Sequence, residues 1–246
     1  MTLQGKVALV TGGSRGLGKA MVEAFATEGA DVIIASRKLE NCEKLAHQIR
    51  EQHGRRALPF AANVSDWTQC EGLVEAAYAA FGRVDVLVNN AGLSPLYPSL
   101  DQVSEALWDK IFDINLKGPF RLASLIGTRM AAGDGGSIIN ISSVAAIRPA
   151  PEHLPYAAAK AGLNTLTEGL AQAFAPRVRV NTIQCGAFLT DVSQAWTPEV
   201  TERLADSAAL RRCAEPNEVV GAALYFASEA ASFTTGAVLR VDGGVR

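Results

Sequence analysis

Short apolar segments alternate with longer helical segments along the whole 246-residue chain. Val7–Val10 and Val32–Ala35 contain no polar side chain, which is typical of strands buried on both faces of a sheet. A parallel sheet covered by helices on both faces accounts for this alternation. No linker, repeat or change in composition divides the chain. The sequence therefore predicts one α/β domain over 1–246.

The pattern also gives approximate bounds for the elements. We predict strands at 7–10, 32–35, 57–61, 84–88, 137–141, 178–183 and 238–241. We predict helices at 16–28, 39–53, 67–81, 103–131, 156–174 and 216–227, with a further helical stretch after Pro198.

Charge and cysteine content exclude several classes of protein. The formal net charge is −2, and no basic stripe is present, so we expect no nucleic acid and no membrane as partner. The four cysteines form no C-x-x-C pair and there are only three histidines, so we expect neither a metal site nor disulfides. Met1 leads directly into the first strand without an apolar leader, and no apolar run approaches the ~20 residues of a membrane helix. We expect a cytoplasmic protein.

A glycine-rich loop follows the first strand, in the sequence TGGSRGLG at 11–18. Glycines at Gly12, Gly16 and Gly18 let the backbone turn tightly and approach a pyrophosphate. The N-terminus of the next helix then offers free N–H groups and a positive dipole end to that anion. Glycines also occur in ordinary βα turns, but this position in an α/β chain favours dinucleotide binding and a Rossmann fold.

The end of the second strand bears on which dinucleotide binds. An NAD site usually has an acid about 20 residues after the loop, which accepts hydrogen bonds from the adenosine ribose. Here Asp31 lies at the wrong end of the strand and Glu40 in the following helix. A 2′-phosphate would instead find donors and positive charge on Ser14, Arg15, Ser36 and Arg37. We expect NADP(H) to be preferred and NAD(H) to be possible. The alternative is that Arg37 is a solvated loop charge.

A second motif combines a strand-end serine with a tyrosine and a lysine. Ser143 ends the fifth strand, and thirteen residues later comes Tyr156, with Lys160 one helical turn beyond it. An ammonium near the phenol would lower the tyrosine pKa from about 10 toward neutrality, which takes about 4 kcal/mol of differential interaction. Tyr156 would then be usable as a general acid–base. Ser142 is an alternative to Ser143, but the spacing favours Ser143.

Together these motifs resemble the short-chain dehydrogenase/reductase family over nearly the full length. The matches are TGGSRGLG at 11–18, NNAG at 89–92, Asn115 in DINLKGPF, Ser143, YAAAK at 156–160 and VDGG at 241–244. The family implies a seven-stranded doubly wound parallel sheet, usually in a homotetramer, and a reaction between a nicotinamide and a ketone or secondary alcohol. Small residues on the predicted helix at 156–174, namely Ala157, Ala158, Ala161 and Gly162, agree with close subunit packing.

The resemblance also implies roles for individual residues. Tyr156 would exchange the proton with the reacting oxygen, Ser143 would hydrogen-bond that oxygen, and Lys160 would lower the tyrosine pKa and hold the nicotinamide ribose. Asn115 would hold a water that relays protons, although it could instead be a helix-kink residue. Further contacts to the cofactor would come from Leu17, Asn63, Val64, Asn90, Ala91, Gly92, Ile183, Gly186 and Thr190.

Two positions depart from the family pattern. Cys185 stands where the family usually has a proline, so the loop over the nicotinamide has no locked φ. Its thiol could be reactive, but a small packing residue is the simpler interpretation. Asn63 stands where an aspartate often lies next to the adenine, and an amide can still donate to and accept from the base.

The substrate is less constrained than the chemistry. We expect pocket walls at 93–98 and 144–153 and a lid at about 187–212 with apolar side chains at Phe188, Val192, Trp196 and Leu204. Arg148 and His153 either border the pocket or face solvent. The chain resembles the 3-oxoacyl-carrier-protein-reductase-like branch, but the turn at 131–136 has no positive charge for an acidic carrier. We therefore expect a small or medium free ketone or secondary alcohol, with the carrier-protein reductase as the alternative.

A rival of another class is a catalytically idle NADP(H)-binding sensor or partner-binding module. Such a protein would be expected to have lost Ser143, Tyr156 or Lys160, and all three are present.

Overall fold

The computed structural model describes residues 2–191 and 193–245, apart from the side chain of Ala195. Within these residues the strands are β1 (Val7–Thr11), β2 (Asp31–Ser36), β3 (Ala57–Ala61), β4 (Val86–Asn89), β5 (Gly136–Ser143), β6 (Val178–Cys185) and β7 (Val238–Val241). They form one parallel sheet in the order β3-β2-β1-β4-β5-β6-β7. The predicted seven-stranded doubly wound Rossmann fold is confirmed.

Helices cover both faces of the sheet. They are α1 (Gly16–Thr27), α2 (Leu39–His53), α3 (Trp67–Phe81), α4 (Glu105–Phe112), α5 (Gly118–Ala132), α6 (Leu154–Phe174), α7 (Pro198–Ser207) and α8 (Val220–Ala227). Local chemistry fixes several ends. The Asp66 carboxylate caps α3 by accepting from the N–H groups of Thr68 and Gln69, and Gly82 ends that helix with a φ of 75°. No helix of the described residues is both long and apolar enough to cross a membrane.

One apolar layer lies on each side of the sheet. On one side α1, α2 and α8 pack on the strands, with Phe25 and Phe226 almost fully buried. On the other side α3, α5 and α6 contribute Leu73, Leu122 and Leu170. Burying a side chain of this size contributes about 1.5–3 kcal/mol. The two layers hold the strand ends rigidly enough to carry a site.

The predicted helix at 103–131 is wrong in its middle. It consists of α4, a π-helical segment Asp113–Lys117 and α5. Pro119 has no N–H, so the regular helical bond to the Asn115 carbonyl cannot form. Instead the Gly118 N–H donates to the Asp113 carbonyl, five residues back. This widened turn is the physical reason for the interruption.

Several other predicted ends differ from the structure by a few residues. Strands β5 and β6 each run two residues further than predicted, because they pair in register as far as Ser143 and Cys185. Strand β4 begins at Val86 rather than at residue 84. The predicted helix at 216–227 opens with a 3₁₀ turn, Pro216–Val219, before α8.

A row of buried polar side chains ties α6 to the sheet. Asn89, Asn140 and Thr182 are register partners on β4, β5 and β6. Asn89 Nδ2 donates to Asn140 Oδ1 (2.9 Å), and Asn140 Nδ2 donates to Oγ1 of Thr167 on α6 (2.9 Å). Thr182 Oγ1 lies 2.7 Å from the same Thr167 oxygen. A buried network of this kind fixes one position of a helix on a sheet, because any shift leaves polar groups without partners.

A second row lies closer to the carboxyl ends of the strands. Ser142 Oγ donates to the Lys160 carbonyl (3.3 Å). Asn164 Nδ2, on the next turn of α6, donates to Gln184 Oε1 (3.1 Å). Ser142 and Gln184 are register partners on β5 and β6. The two rows together set both the height and the rotation of α6, and with them the positions of its first residues.

Replacing Thr167 with valine tests this anchoring. The side chain keeps its shape, but Asn140 and Thr182 lose a buried partner, so we expect a loss of about 1–3 kcal/mol in the free energy of unfolding. Thr165→Val is the matched control, since Thr165 is exposed on the same helix and bonds only its own helix. It should change stability by less than about 0.5 kcal/mol. Urea unfolding measures both, and equal stability of the two variants would contradict the anchoring role.

Candidate active site

The strand order reverses between β1 and β4, so their loops diverge and open a crevice at the carboxyl ends of the strands. Thr11, the last residue of β1, closes the base of this crevice. Its Oγ1 accepts from the backbone N–H groups of Asn90 (3.0 Å) and Ala91 (3.1 Å) and donates to the Val88 carbonyl. Asn90 Nδ2 in turn donates to the carbonyls of Thr11 and Gly12. The predicted glycine loop and NNAG segment therefore meet.

The glycine loop fits a dinucleotide phosphate. Gly12 and Gly16 have left-handed φ values of 61° and 52°. A Cβ on Gly18 would lie 2.2 Å from the Gly12 carbonyl oxygen, so only glycine lets α1 start this close to β1. The N-cap, Arg15, makes no side-chain capping bond, and the first turn carries no acid. The first N–H groups of α1 are thus left for an anion.

The residues predicted to choose between cofactors lie around the end of β2. Ser14 Oγ donates to Ser36 Oγ (3.0 Å), which donates to the Lys38 carbonyl (3.2 Å). Arg37 is exposed, and its side chain has no hydrogen-bond or ion-pair partner in the part of the chain that the structure describes. Asp31 lies at the opposite end of the strand, where Arg55 binds it at 2.8 Å.

Arg15 of the glycine loop forms an ion pair with a residue of the predicted lid. Its guanidinium lies 3.8 Å from a carboxylate oxygen of Asp191, and both side chains are at least half exposed. A Cβ on Gly16 would lie 3.4 Å from the methyl group of Thr190. Thr190 is held by Ser193, whose hydroxyl bonds both its N–H and its carbonyl. The start of the predicted lid therefore lies directly against the glycine loop.

At the other end of the site, Asn63 and Val64 lie after β3. Asn63 Oδ1 accepts from the Ser65 N–H, and its own backbone N–H donates to Gln69 Oε1. The structure describes no partner for the Asn63 amide NH₂ group, which is free to donate. Val64 is buried, with its carbonyl against Gly118. Leu17 packs against the core from the first turn of α1.

Tyr156 and Lys160 lie on the first two turns of α6. Lys160 is 3% exposed, and its Nζ donates to the Ile141 carbonyl (2.8 Å) and lies 5.7 Å from the centre of the Tyr156 ring. A Cβ on Gly92 would lie 3.8 Å from that Nζ, so the NNAG segment reaches the lysine. The predicted pair is assembled at the crevice, with the ammonium beside the ring face.

The prediction of a lowered tyrosine pKa is wrong. Burial raises the pKa of Tyr156 to about 12, and a hydrogen bond with Ser143 only partly opposes this rise. Burial also lowers the pKa of Lys160 to about 8, which the neighbouring Cys185 slightly counters. The spacing of the motif shows that the two groups are neighbours, but not that the ammonium points at a backbone carbonyl and that both groups are poorly solvated.

The two serines at the end of β5 have different surroundings. Ser143 is close enough to Tyr156 to lower the pKa of the tyrosine, and its hydroxyl accepts from the Ala145 N–H (3.2 Å). Ser142 is 2% exposed and turned to the Lys160 carbonyl. The geometry therefore favours Ser143 over Ser142 as the serine beside the reacting oxygen.

Asn115 lies in the π-helical segment and is fully buried. Its Nδ2 donates to the carbonyls of Leu93 (2.8 Å) and Ile111 (2.9 Å), and its Oδ1 accepts from the Leu93 N–H (3.2 Å). The side chain thus holds the helix interruption against the loop after β4. Both interpretations of Asn115 from the sequence remain open, because a residue at the interruption also lies next to Gly92.

The end of β6 carries the remaining predicted contacts. Ile183 is completely buried between β5 and β7, so it supports the loop from within the core. Burial raises the pKa of the Cys185 thiol to about 12, which agrees with a packing role and not with a reactive thiolate. Gly186 is required sterically, since a Cβ there would lie 2.7 Å from the Asp242 Cα.

The predicted lid consists of a 3₁₀ turn, α7 and connecting loops. Phe188 is buried and forms a bridge with Ala214, whereas Trp196 and Leu204 are half-buried. Val192 lies outside the described residues. A cavity of about 500 Å³ lies between this segment and the C-terminal residues 240–245, and Tyr156 does not line it.

Sequence reasoning missed several residues that shape the site. Thr11, Asn140 and Thr182 act through buried hydrogen bonds, and Asp191 through its ion pair with Arg15. For Thr11, Asn140 and Thr182 the available signal was a polar side chain in an otherwise apolar strand, and Asp191 has no such signal because it lies outside the strands.

Comparison with known proteins agrees with this geometry. The family model described as enoyl-(acyl carrier protein) reductase matches residues 12–246. A D-threitol dehydrogenase from Mycolicibacterium smegmatis is 38% identical over 98% of this chain and 93% of its own. A 3-oxoacyl-[acyl-carrier-protein] reductase from Thermotoga maritima is 37% identical over 100% and 99%.

One of the similar solved structures contains a bound nucleotide cofactor. It is of a protein assigned as an NAD(P)-dependent gluconate 5-dehydrogenase from Beutenbergia cavernae, with NADP bound at low occupancy. It superposes with a TM-score of 0.93 at 33% identity, covering 98% of this chain and 97% of its own. With its sheet order, glycine loop and Ser143–Tyr156–Lys160 cluster, this chain belongs to the short-chain dehydrogenase/reductase family, oxidoreductases that act on alcohol and carbonyl groups.

Proposed function

We propose that this chain interconverts a small or medium free ketone and its secondary alcohol, using NADP(H) in preference to NAD(H). The observation that carries the proposal is that Lys160, buried at the crevice, lies 5.7 Å from the Tyr156 ring and donates to the Ile141 carbonyl, two residues before Ser143 on β5. The bound nicotinamide supplies or accepts the hydride. The reacting oxygen would lie between the hydroxyls of Ser143 and Tyr156.

The side chains then divide the proton chemistry. In reduction Tyr156 gives its proton to the carbonyl oxygen, and in oxidation it removes one from the alcohol. Ser143 donates a hydrogen bond to the same oxygen. Lys160 has three donors. It can keep its bond to the Ile141 carbonyl and still bind ribose hydroxyls.

Asn115 would serve the proton relay through its backbone. Its side chain already has three partners in the protein, whereas its carbonyl lacks the helical N–H that Pro119 cannot supply. A water held by that carbonyl would link the site to solvent.

Preference for NADP(H) rests on charge at the end of β2. Among the residues that the structure describes, the exposed Arg37 has no side-chain partner, and none of them places an acid at this strand end to accept from a 2′-hydroxyl. Ser14 and Ser36 add hydroxyl donors beside it. The remaining cofactor contacts would come from the glycine loop, Leu17, Asn63–Val64, the 90–92 segment, Gly186 and Thr190.

Two observations bear on the substrate. The carrier-protein reductase among the relatives keeps that activity as the second candidate. However, Arg177 near the 131–136 turn donates to the Gly133 carbonyl (2.6 Å), and Asp134 in that turn is 82% exposed. An acidic carrier would find little free positive charge there, which supports a free ketone or alcohol.

A homotetramer in the cytoplasm completes the proposal. Edge strand β7 leaves Val238 and Leu239 more than a third exposed, and Phe233 before it is fully exposed, which favours a covered sheet edge. Of the small α6 residues, Ala158 is exposed, whereas Gly162 packs on Leu116 within the chain. The four cysteines are free, as in a reducing compartment.

Loss of the Tyr156 hydroxyl should abolish turnover. Ketones and alcohols are screened with reduced and oxidised cofactors at the nicotinamide absorbance band, and Tyr156→Phe is then compared on an accepted substrate. We expect kcat to fall at least about a hundredfold with cofactor affinity nearly unchanged, because only the proton path is removed. Tyr225→Phe, whose hydroxyl contacts Thr234, is the control. Retention of more than about a hundredth of wild-type kcat would remove Tyr156 from its role. An idle module would turn over nothing.

Cofactor choice is tested by Ser36→Asp combined with Arg37→Ile. Charge-assisted hydrogen bonds to a 2′-phosphate, weakened by exposure, should give the wild type a roughly ten- to hundredfold preference for NADPH in kcat/KM. The double variant should prefer NADH, since the new acid accepts from a 2′-hydroxyl and repels a phosphate. Lys44→Ile, which removes an exposed cation from α2, should leave the ratio unchanged. Equal or better use of NADH by the wild type would mean that Arg37 is a solvated loop charge.

A further inference from the structure

His153 lies immediately before the helix that carries Tyr156. It is the last residue of the 3₁₀ turn Pro151–His153 and the N-cap of α6, three residues before the tyrosine. Its ring stands edge-on to the Tyr156 ring, with centroids 6.2 Å apart and an interplanar angle of 73°. The imidazole is therefore an immediate neighbour of the phenol that would exchange the proton.

The backbone around His153 is held in place. The Tyr97 hydroxyl donates to the Pro151 carbonyl (2.5 Å) and accepts from the Leu154 N–H (2.9 Å). The His153 N–H itself donates to the Ala150 carbonyl (3.2 Å). These bonds join the two predicted pocket walls, 93–98 and 144–153, on either side of the histidine. The imidazole position is thus set by the surrounding loops.

The imidazole nitrogens are also available to hydrogen-bond a ligand. It is half-buried, and its ring nitrogens have no hydrogen-bond partner among the residues that the structure describes. Burial lowers its pKa from 6.5, although Glu152 counters this in part, so the ring is neutral at neutral pH. A neutral imidazole offers one donor and one acceptor. A half-buried pair of this kind suits a hydroxyl or carbonyl group better than an anion.

Ser143 and Tyr156 would hold the reacting oxygen of the substrate. A polar side-chain atom beside Tyr156 would then lie near the substituent on the adjacent substrate carbon. We propose that His153 hydrogen-bonds an oxygen on the carbon adjacent to the reacting one, and that the substrate is a vicinal hydroxy ketone or the corresponding diol. This inference rests on the proposed function and narrows its substrate class. His153 is then a substrate-contacting residue that determines specificity.

Matched pairs of ketones test the inference. The kcat/KM with NADPH is measured for 3-hydroxybutan-2-one against butan-2-one and for 2-hydroxycyclohexanone against cyclohexanone. The variants are His153→Leu, which removes both polar atoms, and His153→Gln, which keeps a donor and an acceptor. His47→Leu is the matched control, because His47 is an exposed histidine on α2 whose Nε2 lies 3.5 Å from a carboxylate oxygen of Glu51. Circular dichroism verifies folding of each variant.

We expect the wild type to prefer each hydroxy ketone by about tenfold or more. His153→Leu should remove that preference by slowing the hydroxy ketones alone, and His153→Gln should restore part of it. Equal losses on both members of a pair, or an unchanged ratio, would overturn the inference. A wild type that reduces the plain ketones equally well would also overturn it while the proposed function stands. Reduction of none of the four with either cofactor would count against both.

Discussion

The position of α6 on the sheet is the constraint on which the rest of the site depends. Tyr156 and Lys160 belong to that helix and Ser143 to β5, so their mutual geometry is the geometry of helix against strand. Apolar packing alone would let the helix slide by part of a turn, since dispersion contacts are not directional. The buried hydrogen bonds from Asn140 to Thr167 and from Ser142 to the Lys160 carbonyl permit one position only. The buried polar network thus determines the relative positions of Ser143, Tyr156 and Lys160.

Burial has an electrostatic consequence at the same place. It disfavours the charged forms of both Tyr156, whose pKa rises to about 12, and Lys160, whose pKa falls to about 8. Proton transfer by Tyr156 near neutral pH therefore requires further interactions that favour the charged forms of these two groups. On the proposed function, a bound cofactor would supply such interactions, because its ribose hydroxyls would become partners for the charged form of Lys160 and the oxidised nicotinamide is itself cationic.

The features that could be predicted from the sequence are those determined by residues close together in the chain. The glycine loop, the Tyr156–Lys160 spacing and nearly all elements depend on neighbours within a few residues. Contacts between segments distant in sequence produce no local sequence pattern. One example is the ion pair between Arg15 in the glycine loop and Asp191 in the predicted lid. Pro119 is a sequence signal for the helix interruption at Asp113–Lys117. The helical periodicity on both sides of it nevertheless favoured one continuous helix. The tyrosine pKa was misjudged because spacing reports proximity and neither orientation nor solvation.

The most direct test of this account is the pH dependence of alcohol oxidation at saturating NADP⁺, from about pH 6 to about pH 10. Oxidation needs the phenolate, so kcat should rise with pH as one proton is lost, with an apparent pKa well below the value of about 12 to which burial raises the pKa of Tyr156. In Lys160→Met the rise should move to higher pH, because removal of the ammonium disfavours the phenolate. A flat profile in the wild type, or the same midpoint in both proteins, would contradict Tyr156 as an acid–base assisted by Lys160.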